Sequence, residues 1–459
     1  MLQLHTVSHS RYNPGATSMT ITATTLSGLE SVLESEIADL NLAVIGSENR
    51  AVTFKGSLRE LYLSLYHLRT ALRLLVHIIS FDARDPQELY RSVGRIDWSA
   101  YLDGDQTFAI DCTANSSIFR HTDYAALKAK DAIVDQFRTR TGRRPSVRTD
   151  FPNLRIHLHI EGTRCTVSRD AAGESLHRRG YRSRAGEAPL NEVLAAGMIL
   201  LSGWKPGNAL VDPFCGSGTI AIEAAMIGAG ISPGSIRRRI GAGEGARRRR
   251  PQERSGSIRA ADPGDQTIGR EAISDRTAYG CQSWKDFDRQ LWEEIPTTAT
   301  NAPAEENPRD LHDAEIGPQI FGFDLADDVL VAARENAKSA GVNKLICFDQ
   351  ADVRELHPEA LCGGRWRNDL NPGVIVTNPP YGERLSDLAI DDLYRATGDT
   401  FKRAFPGWHA WVLSGNMAAL KRVGLRSERR IPLHNGPIEC RFVHYPLAAT
   451  RAENSERRG

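Results

Sequence analysis

The apolar positions of this chain change their period twice. Residues 20–24, 51–54 and 73–80 alternate as half-buried strands do. Between them, Leu29, Val32, Leu33, Ile37 and Leu40 recur at helical spacing, and so do Leu58, Leu61, Leu65 and Leu68. Two helices over one small sheet predict an α+β unit at 19–85. In the next stretch, 86–184, residues 107–112 and 155–160 predict strands. A helix over 124–139 is expected to turn Leu127, Ile133, Val134 and Phe137 inward. From 185 to 450 strand and helix alternate, with strands at 209–212, 320–324, 344–348, 374–377, 408–414 and 438–445. Helices are predicted at 219–227, 329–340, 388–405 and 417–423. That order predicts a doubly wound, Rossmann-like α/β domain with a mostly parallel sheet.

An insertion at about 235–315 breaks the last pattern. It is rich in Arg, Gly, Pro, Glu and Ser, and it holds the basic runs Arg237 to Arg239 and Arg247 to Arg250. The stretch 241–278 is expected to be disordered. Trp284, Phe287, Leu291 and Trp292 mark a short ordered helix at 283–294, the two tryptophans packing beneath the insertion. Residues 1–18 have neither a basic start nor an apolar stretch, so they read as a tail and not a signal peptide, with Met19 an alternative start; 451–459 form a second tail.

Composition narrows the classes. The 459 residues are 41% hydrophobic and 25% charged, ordinary for a soluble globular chain. No apolar run is long enough to span a bilayer. The seven cysteines are scattered without C-x-x-C spacing, which argues for reduced thiols in the cytoplasm and against a metal site. Net charge is only +1, but residues 120–184 carry 15 Lys or Arg against 7 Asp or Glu. A local basic patch of this kind suits phosphate contact, which positions RNA without reading its sequence. Lys128, Arg178, Arg179, Tyr181 and Arg182 are its candidate RNA-binding residues.

Three signals carry chemistry. Asp212-Pro213-Phe214-Cys215-Gly216-Ser217-Gly218 links a strand to a helix, and its glycines let backbone approach a ligand at the carboxyl edge of the sheet. There is no Gly-Lys-Ser/Thr, so it is no phosphate loop. Asp324 closes the next strand, where a carboxylate can accept both ribose hydroxyls of a nucleoside or cap the following helix. Asp352 follows the strand after that, where an adenine amino group would be read. The third signal, Asn378-Pro379-Pro380-Tyr381, decides between readings. An exocyclic amine on a base is a poor nucleophile because its lone pair is delocalised into the ring. Two fixed acceptors, the Asn378 side-chain oxygen and the Pro379 carbonyl, would hold that nitrogen in line with a methyl donor. Tyr381 offers a face for a flipped-out base.

These stretches resemble the bacterial 23S ribosomal RNA guanine-N2 methyltransferases, which join a THUMP RNA-binding domain to a class I methyltransferase domain. The resemblance rests on FRHTDYAALKAKDAIVD (119–135), LHRRGYRSR (176–184), PLNEVLAA (189–196), LVDPFCGSGTIAIEAA (210–225), NPPYGERL (378–385) and NGPIEC (435–440), in the expected order. It implies that the unit at 19–85 is ferredoxin-like, that 86–184 is a THUMP domain and that S-adenosylmethionine is the cofactor. It further implies a pocket lined by Asp212, Phe214, Gly216, Gly218, Asp324 and Asp352, with Pro189, Leu190 and Glu192 at its edge. Asn378, Pro379 and Tyr381 would hold the guanine of large-subunit ribosomal RNA. Some members carry a second methyltransferase domain; with the chain ending at Gly459, one activity is expected. Transfer RNA as substrate, and a non-catalytic RNA-binding assembly factor, are the competing expectations.

Overall fold

The computed structural model describes residues 18–182, 190–239, 278–298, 319–356, 373–381 and 387–449. Pro189, the expected disordered stretch up to residue 277, Arg247 to Arg250 and Gly382 to Arg384 lie outside them.

The amino-terminal half builds one sheet. β1 (Met19–Thr24), β2 (Val44–Glu48), β3 (Ala51–Gly56) and β4 (Arg73–Asp82) carry α1 (Glu30–Asp39) and α2 (Leu58–His67). α2 begins where its sequence says it should: Ser57 and Glu60 form a reciprocal capping box that satisfies otherwise orphaned N–H groups. α3 (Pro86–Gly94), β5 (Thr107–Asn115), α4 (Thr122–Thr141), β6 (Ser146–Val147), β7 (Leu154–Glu161) and β8 (Arg164–Asp170) follow. The strand order is β2-β3-β1-β4-β8-β7-β5-β6, so antiparallel pairing of β4 with β8 makes eight strands continuous. The two units expected to meet at residue 85 thus share a sheet and a single apolar core.

α4 runs longer than expected, and its buried stripe is rotated. Ala125, Ala129, Ala132, Ile133 and Phe137 face the core, whereas Leu127 is 51% exposed. Small alanines let the helix sit close to the sheet, and the stripe they define leaves position 127 on the outer side.

The second half is a seven-stranded sheet of order β11-β10-β9-β12-β13-β15-β14. Its strands are β9 (Leu210–Asp212), β10 (Ile320–Asp324), β11 (Ile346–Gln350), β12 (Val374–Thr377), β13 (His409–Ser414), β14 (Arg429–Asn435) and β15 (Ile438–Pro446). The strands from β11 to β13 are parallel, and the β14–β15 hairpin pairs antiparallel against β13. α5 (Glu192–Ser202), α6 (Thr219–Gly228), α7 (Pro233–Arg239), α9 (Asp327–Ala340), α10 (Asp387–Ala404) and α11 (Met417–Arg422) accompany it, while α8 (Arg289–Thr298) belongs elsewhere. The chain leaves β9 toward β10 and β11, then returns to place β12 on the other side of β9. Strand order therefore reverses between β9 and β12, and open α/β sheets bind ligands at such a point.

At the described end of the insertion the two tryptophans pack, and their partners are in the amino-terminal half. Trp284 and Trp292 are buried in the amino-terminal core, Trp292 edge-on to Tyr62 of α2 at 5.1 Å between ring centres. Arg169 of β8 lies over Trp284, 3.9 Å from its ring centre, and grips Asp286 with two bonds of 2.7 Å. Arg237 of α7 is likewise structural, donating to the carbonyls of Ala172, Glu174, Ser175 and Ala278. These contacts bind the two halves together. Among the described residues no helix is long and apolar enough to cross a membrane.

Candidate active site

β9 and β12 are adjacent parallel strands, so the residues that follow them emerge side by side. A hydrogen bond locks their ends together: Thr377 Oγ1 donates to Asp212 Oδ1 at 2.7 Å, and the Phe214 N–H donates to the same oxygen at 3.2 Å. Asp212 is fully enclosed, and burial pushes its carboxyl up to about 7 against the donors from Thr377 and Phe214. Thr377 immediately precedes Asn378, so this contact sets the Asn-Pro-Pro-Tyr segment against the glycine turn.

The glycine turn is held from three sides. The Gly216 N–H donates to Asp324 Oδ2 at 2.9 Å, the Cys215 N–H to the Phe323 carbonyl at 2.8 Å, and Asn336 Nδ2 to the Ser217 carbonyl at 3.1 Å. Asp324 also accepts from the Ala326 N–H at 3.1 Å, turning the chain into α9. The two glycines differ in purpose. Gly216 has φ +52°, with open space where a Cβ would project. Gly218 has φ +82°, and a Cβ there would meet the Phe348 ring at 2.9 Å. Gly218 therefore makes room for a neighbouring ring from β11, and Gly216 leaves backbone open to a ligand.

Asp352 accepts from the Arg354 N–H at 2.9 Å and pairs with the Arg354 guanidinium at 3.1 Å, capping a single helical turn after β11.

At Asn378 the accounting changes. Its Oδ1 is buried and has no hydrogen-bond donor among the described residues. Buried polar atoms are nearly always paired, so an unpaired acceptor needs an explanation. Pro379 is buried beside it. The Tyr381 ring lies against the Gly415 backbone, and its hydroxyl accepts from Asn435 Nδ2 at 2.8 Å.

The candidate RNA contacts near 180 are corrected by the structure. Arg179 is 1% exposed: it donates to the carbonyls of Leu176 and Arg69 and pairs with Glu223 of α6 at 3.6 Å. Tyr181, equally buried, donates its hydroxyl to Glu223 Oε1 at 3.1 Å. Arg182 donates to the Leu190 carbonyl and to Thr219 Oγ1, and pairs with Glu192 at 3.4 Å. All three are consumed in joining the halves, because α6 and the linker between the sheets bury one another's charges. Leu190 and Glu192, expected at the pocket edge, are thus bound to Arg182. Arg178 remains on the surface, paired with Glu174, and Lys128 lies 5.6 Å over Tyr124. Thr377, Asn336 and Phe348 were not marked by the sequence, since each acts through a contact distant along the chain, and Asn435 entered only as the first residue of the NGPIEC stretch, with no role attached.

The model of the RMKL-like methyltransferase domain matches residues 179–444, a THUMP domain model matches 83–170, and an RlmL ferredoxin-like domain model matches 20–75. The chain belongs to the RMKL-like methyltransferase family. Its relatives include a Synechocystis sp. protein described as an RNA methyltransferase, slr0064, 34% identical over 94% of this chain and 98% of its own. The ribosomal RNA large subunit methyltransferase K/L of Methylococcus capsulatus is 34% identical over 94% of this chain and 51% of its own length. The chain therefore spans about half the length of the K/L relatives it matches. Among solved structures, SMU.472, described as a methyltransferase complexed with SAH, superposes with a TM-score of 0.70 at 27% identity, covering 95% of this chain and 99% of that one.

Proposed function

We propose that this chain transfers a methyl group from S-adenosylmethionine to the exocyclic N2 of a guanine in 23S ribosomal RNA. The observation that carries this reading is the buried, donor-free Asn378 Oδ1 at the point where strand order reverses. An acceptor desolvated in advance binds an amine N–H without reorganising when the reaction occurs.

The cofactor fits the residues present. Gly216 at positive φ leaves open space beside exposed backbone, and Asp324 closes the neighbouring strand with a carboxylate already aligned by Gly216. Asp212, Phe214, Gly216, Gly218, Asp324 and Asp352 would hold it, with Pro189, Leu190 and Glu192 at the rim. The bound cofactor supplies an electrophilic methyl on a sulfonium. Asn378 Oδ1 and the Pro379 carbonyl accept the two N–H bonds of the amine and favour its pyramidal, electron-rich form. Proline fixes φ and brings no competing N–H donor, so these acceptors stay in place. Tyr381 stacks on the extruded base. The nitrogen sheds its proton after the methyl arrives, so orientation and desolvation, and not a general base, supply the rate.

In this reading RNA docks on the amino-terminal half, by cations with no carboxylate partner. Among the described residues Arg84, Arg91 and Arg95 enter no ion pair, and they line a cleft of about 320 Å³ together with Asp82, Glu88 and Ser92. Lys128 is an additional contact, and so is the exposed Arg178 despite its pair with Glu174. The reading also assigns 19–85 as the ferredoxin-like unit, 86–184 as the THUMP domain and 185–450 as the catalytic domain, acting in the cytoplasm. The curated relatives named for the large ribosomal subunit support ribosomal over transfer RNA.

The test is mass-spectrometric mapping of methylated guanines in ribosomal and transfer RNA from cells lacking this chain. One N2-methylguanine should vanish from 23S RNA and return when purified protein and labelled cofactor are added to that RNA. Loss confined to transfer RNA, or no loss, would overturn the assignment.

A further inference from the structure

Tyr381 sits at the end of a loop, where a ring that must present a flat face to a base would ordinarily be free to turn about χ1 and χ2. Here it is gripped at both ends by an element of the sheet remote in sequence. Its hydroxyl accepts from Asn435 Nδ2 at 2.8 Å and lies 3.7 Å from Cys440 Sγ, both on the β14–β15 hairpin. Its ring edge rests on the Gly415 backbone. A Cβ at Gly415 would come within 3.2 Å of the ring and 2.7 Å of Ile438 Cγ2, so glycine is the residue that lets ring and hairpin close over this point. Burial of the phenol pushes its ionisation well above the ordinary tyrosine range, so it stays neutral and keeps accepting from the hairpin.

The hairpin is antiparallel on an otherwise parallel sheet, with its register fixed through seven residue pairs from Arg429–His444 to Asn435–Ile438. Asn435 and Ile438 are the last pair before the turn at Gly436, whose φ is +60°. A residue on such a ladder is held more firmly than one in a loop.

We propose that Asn435 is a positioning residue for methyl transfer: it acts through the Tyr381 hydroxyl to hold the base-stacking ring, and the β14–β15 hairpin is the back wall of the base pocket. This rests on the assignment of Tyr381 to the target base. Asn435 does not itself touch RNA. Its effect therefore passes wholly through the phenol oxygen and disappears when that oxygen is absent.

A double-mutant cycle reads this directly, using the full chain and 23S RNA from cells lacking it. Asn435→Ala should lower kcat/KM for RNA about tenfold, the rate equivalent of one hydrogen bond. The loss should fall on kcat more than on KM, and cofactor affinity should stay within twofold. In a Tyr381→Phe background, Asn435→Ala should cost less than twofold further. Asn435→Asp, whose carboxylate accepts from the phenol, should recover most of the rate.

A second readout is independent of catalysis. In protein labelled with 3-fluorotyrosine, the ¹⁹F line missing from Tyr381→Phe identifies position 381 among 11 tyrosines. That line should shift and broaden in Asn435→Ala. An unmoved line, or additive losses in the cycle, would overturn the proposal. A moved line with no transfer by the unmutated chain would support the contact and overturn the methyl-transfer reading instead.

Discussion

Two regions of this molecule bury polar side chains, one by setting opposite charges against each other and the other around an uncharged acceptor. At the junction of the halves, Glu36 receives the N–H groups of Arg69 and Thr70 and the Thr70 hydroxyl. Arg179 spends its guanidinium on two carbonyls and Glu223, which also takes the Tyr181 hydroxyl. Charges there face opposite charges across the joint, as Arg179 faces Glu223 and Arg182 faces Glu192, although Arg69 Nη1, Arg179 Nε, Arg182 Nε, Glu192 Oε2 and Glu223 Oε2 make no hydrogen bond among the described residues. At the Asn-Pro-Pro-Tyr segment an amide oxygen equally shielded from water has no hydrogen-bond partner among the described residues, and no charge is paired against it. At the first place opposite charges offset one another and make a joint; at the second an uncharged acceptor faces no cation, and its pairing is left to what binds there. An unpaired buried group costs stability, so a partner that supplies the missing N–H is favoured.

The sharpest way to break the comparison is Asn378→Ala. Loss of one preorganised partner of this kind lowers kcat by about 10²–10³-fold. Cofactor affinity should stay within a few fold and the melting temperature should fall little, because the deleted Oδ1 accepts no hydrogen bond from the described residues. Methylation assays with labelled cofactor, beside calorimetry, check both halves of that statement. Retained activity would remove Asn378 from its assigned role.

Arg179→Met should show the reverse pattern. It leaves Glu223 buried without its cation, a situation that costs about 3–5 kcal/mol. Denaturant unfolding should register that loss, while cofactor binding by the surviving folded fraction should be unchanged. If Arg179→Met is instead neutral, the junction is not the joint described here.

The smallest effect concerns Asp212, which links the two regions' logic. It is buried like the junction acids but has hydroxyl and N–H donors only, so its carboxyl rises to about 7 from an ordinary 3.8. A folded value above the unfolded one favours the folded state fully at low pH and loses that benefit as pH rises through 7. The melting temperature of the cofactor-free protein should therefore decline between pH 5 and pH 8, and Asp212→Asn should flatten that decline. An unchanged slope in the variant would assign the decline to other groups.

How much of this could be read from the chain differs between the halves. The catalytic half was legible because its strands are short apolar runs ending in polar residues: Asp212 after β9, Asp324 closing β10, Asn378 after β12. Parallel strands buried on both faces produce that signature by necessity. The alternation of strand and helix and the mostly parallel sheet followed from it; the strand order and the antiparallel β14–β15 hairpin did not. The amino-terminal half was less legible. β2 carries a single half-buried position among exposed ones, and α3 is too short for its period to stand out. The pairing of β4 with β8 joins residues about ninety positions apart, which no local pattern encodes.

Residue chemistry by itself determined which groups could accept an amine and which could cradle a nucleoside, since those capacities belong to the side chain and its immediate backbone. Tertiary structure alone decided which charges stayed exposed at the surface. Arg178 and Arg179 are neighbours of the same type, yet one lies in solvent and the other inside the joint. Whether a guanidinium is spent or available depends on what the remainder of the chain folds against it, and desolvation with pairing is a property of the assembled interior.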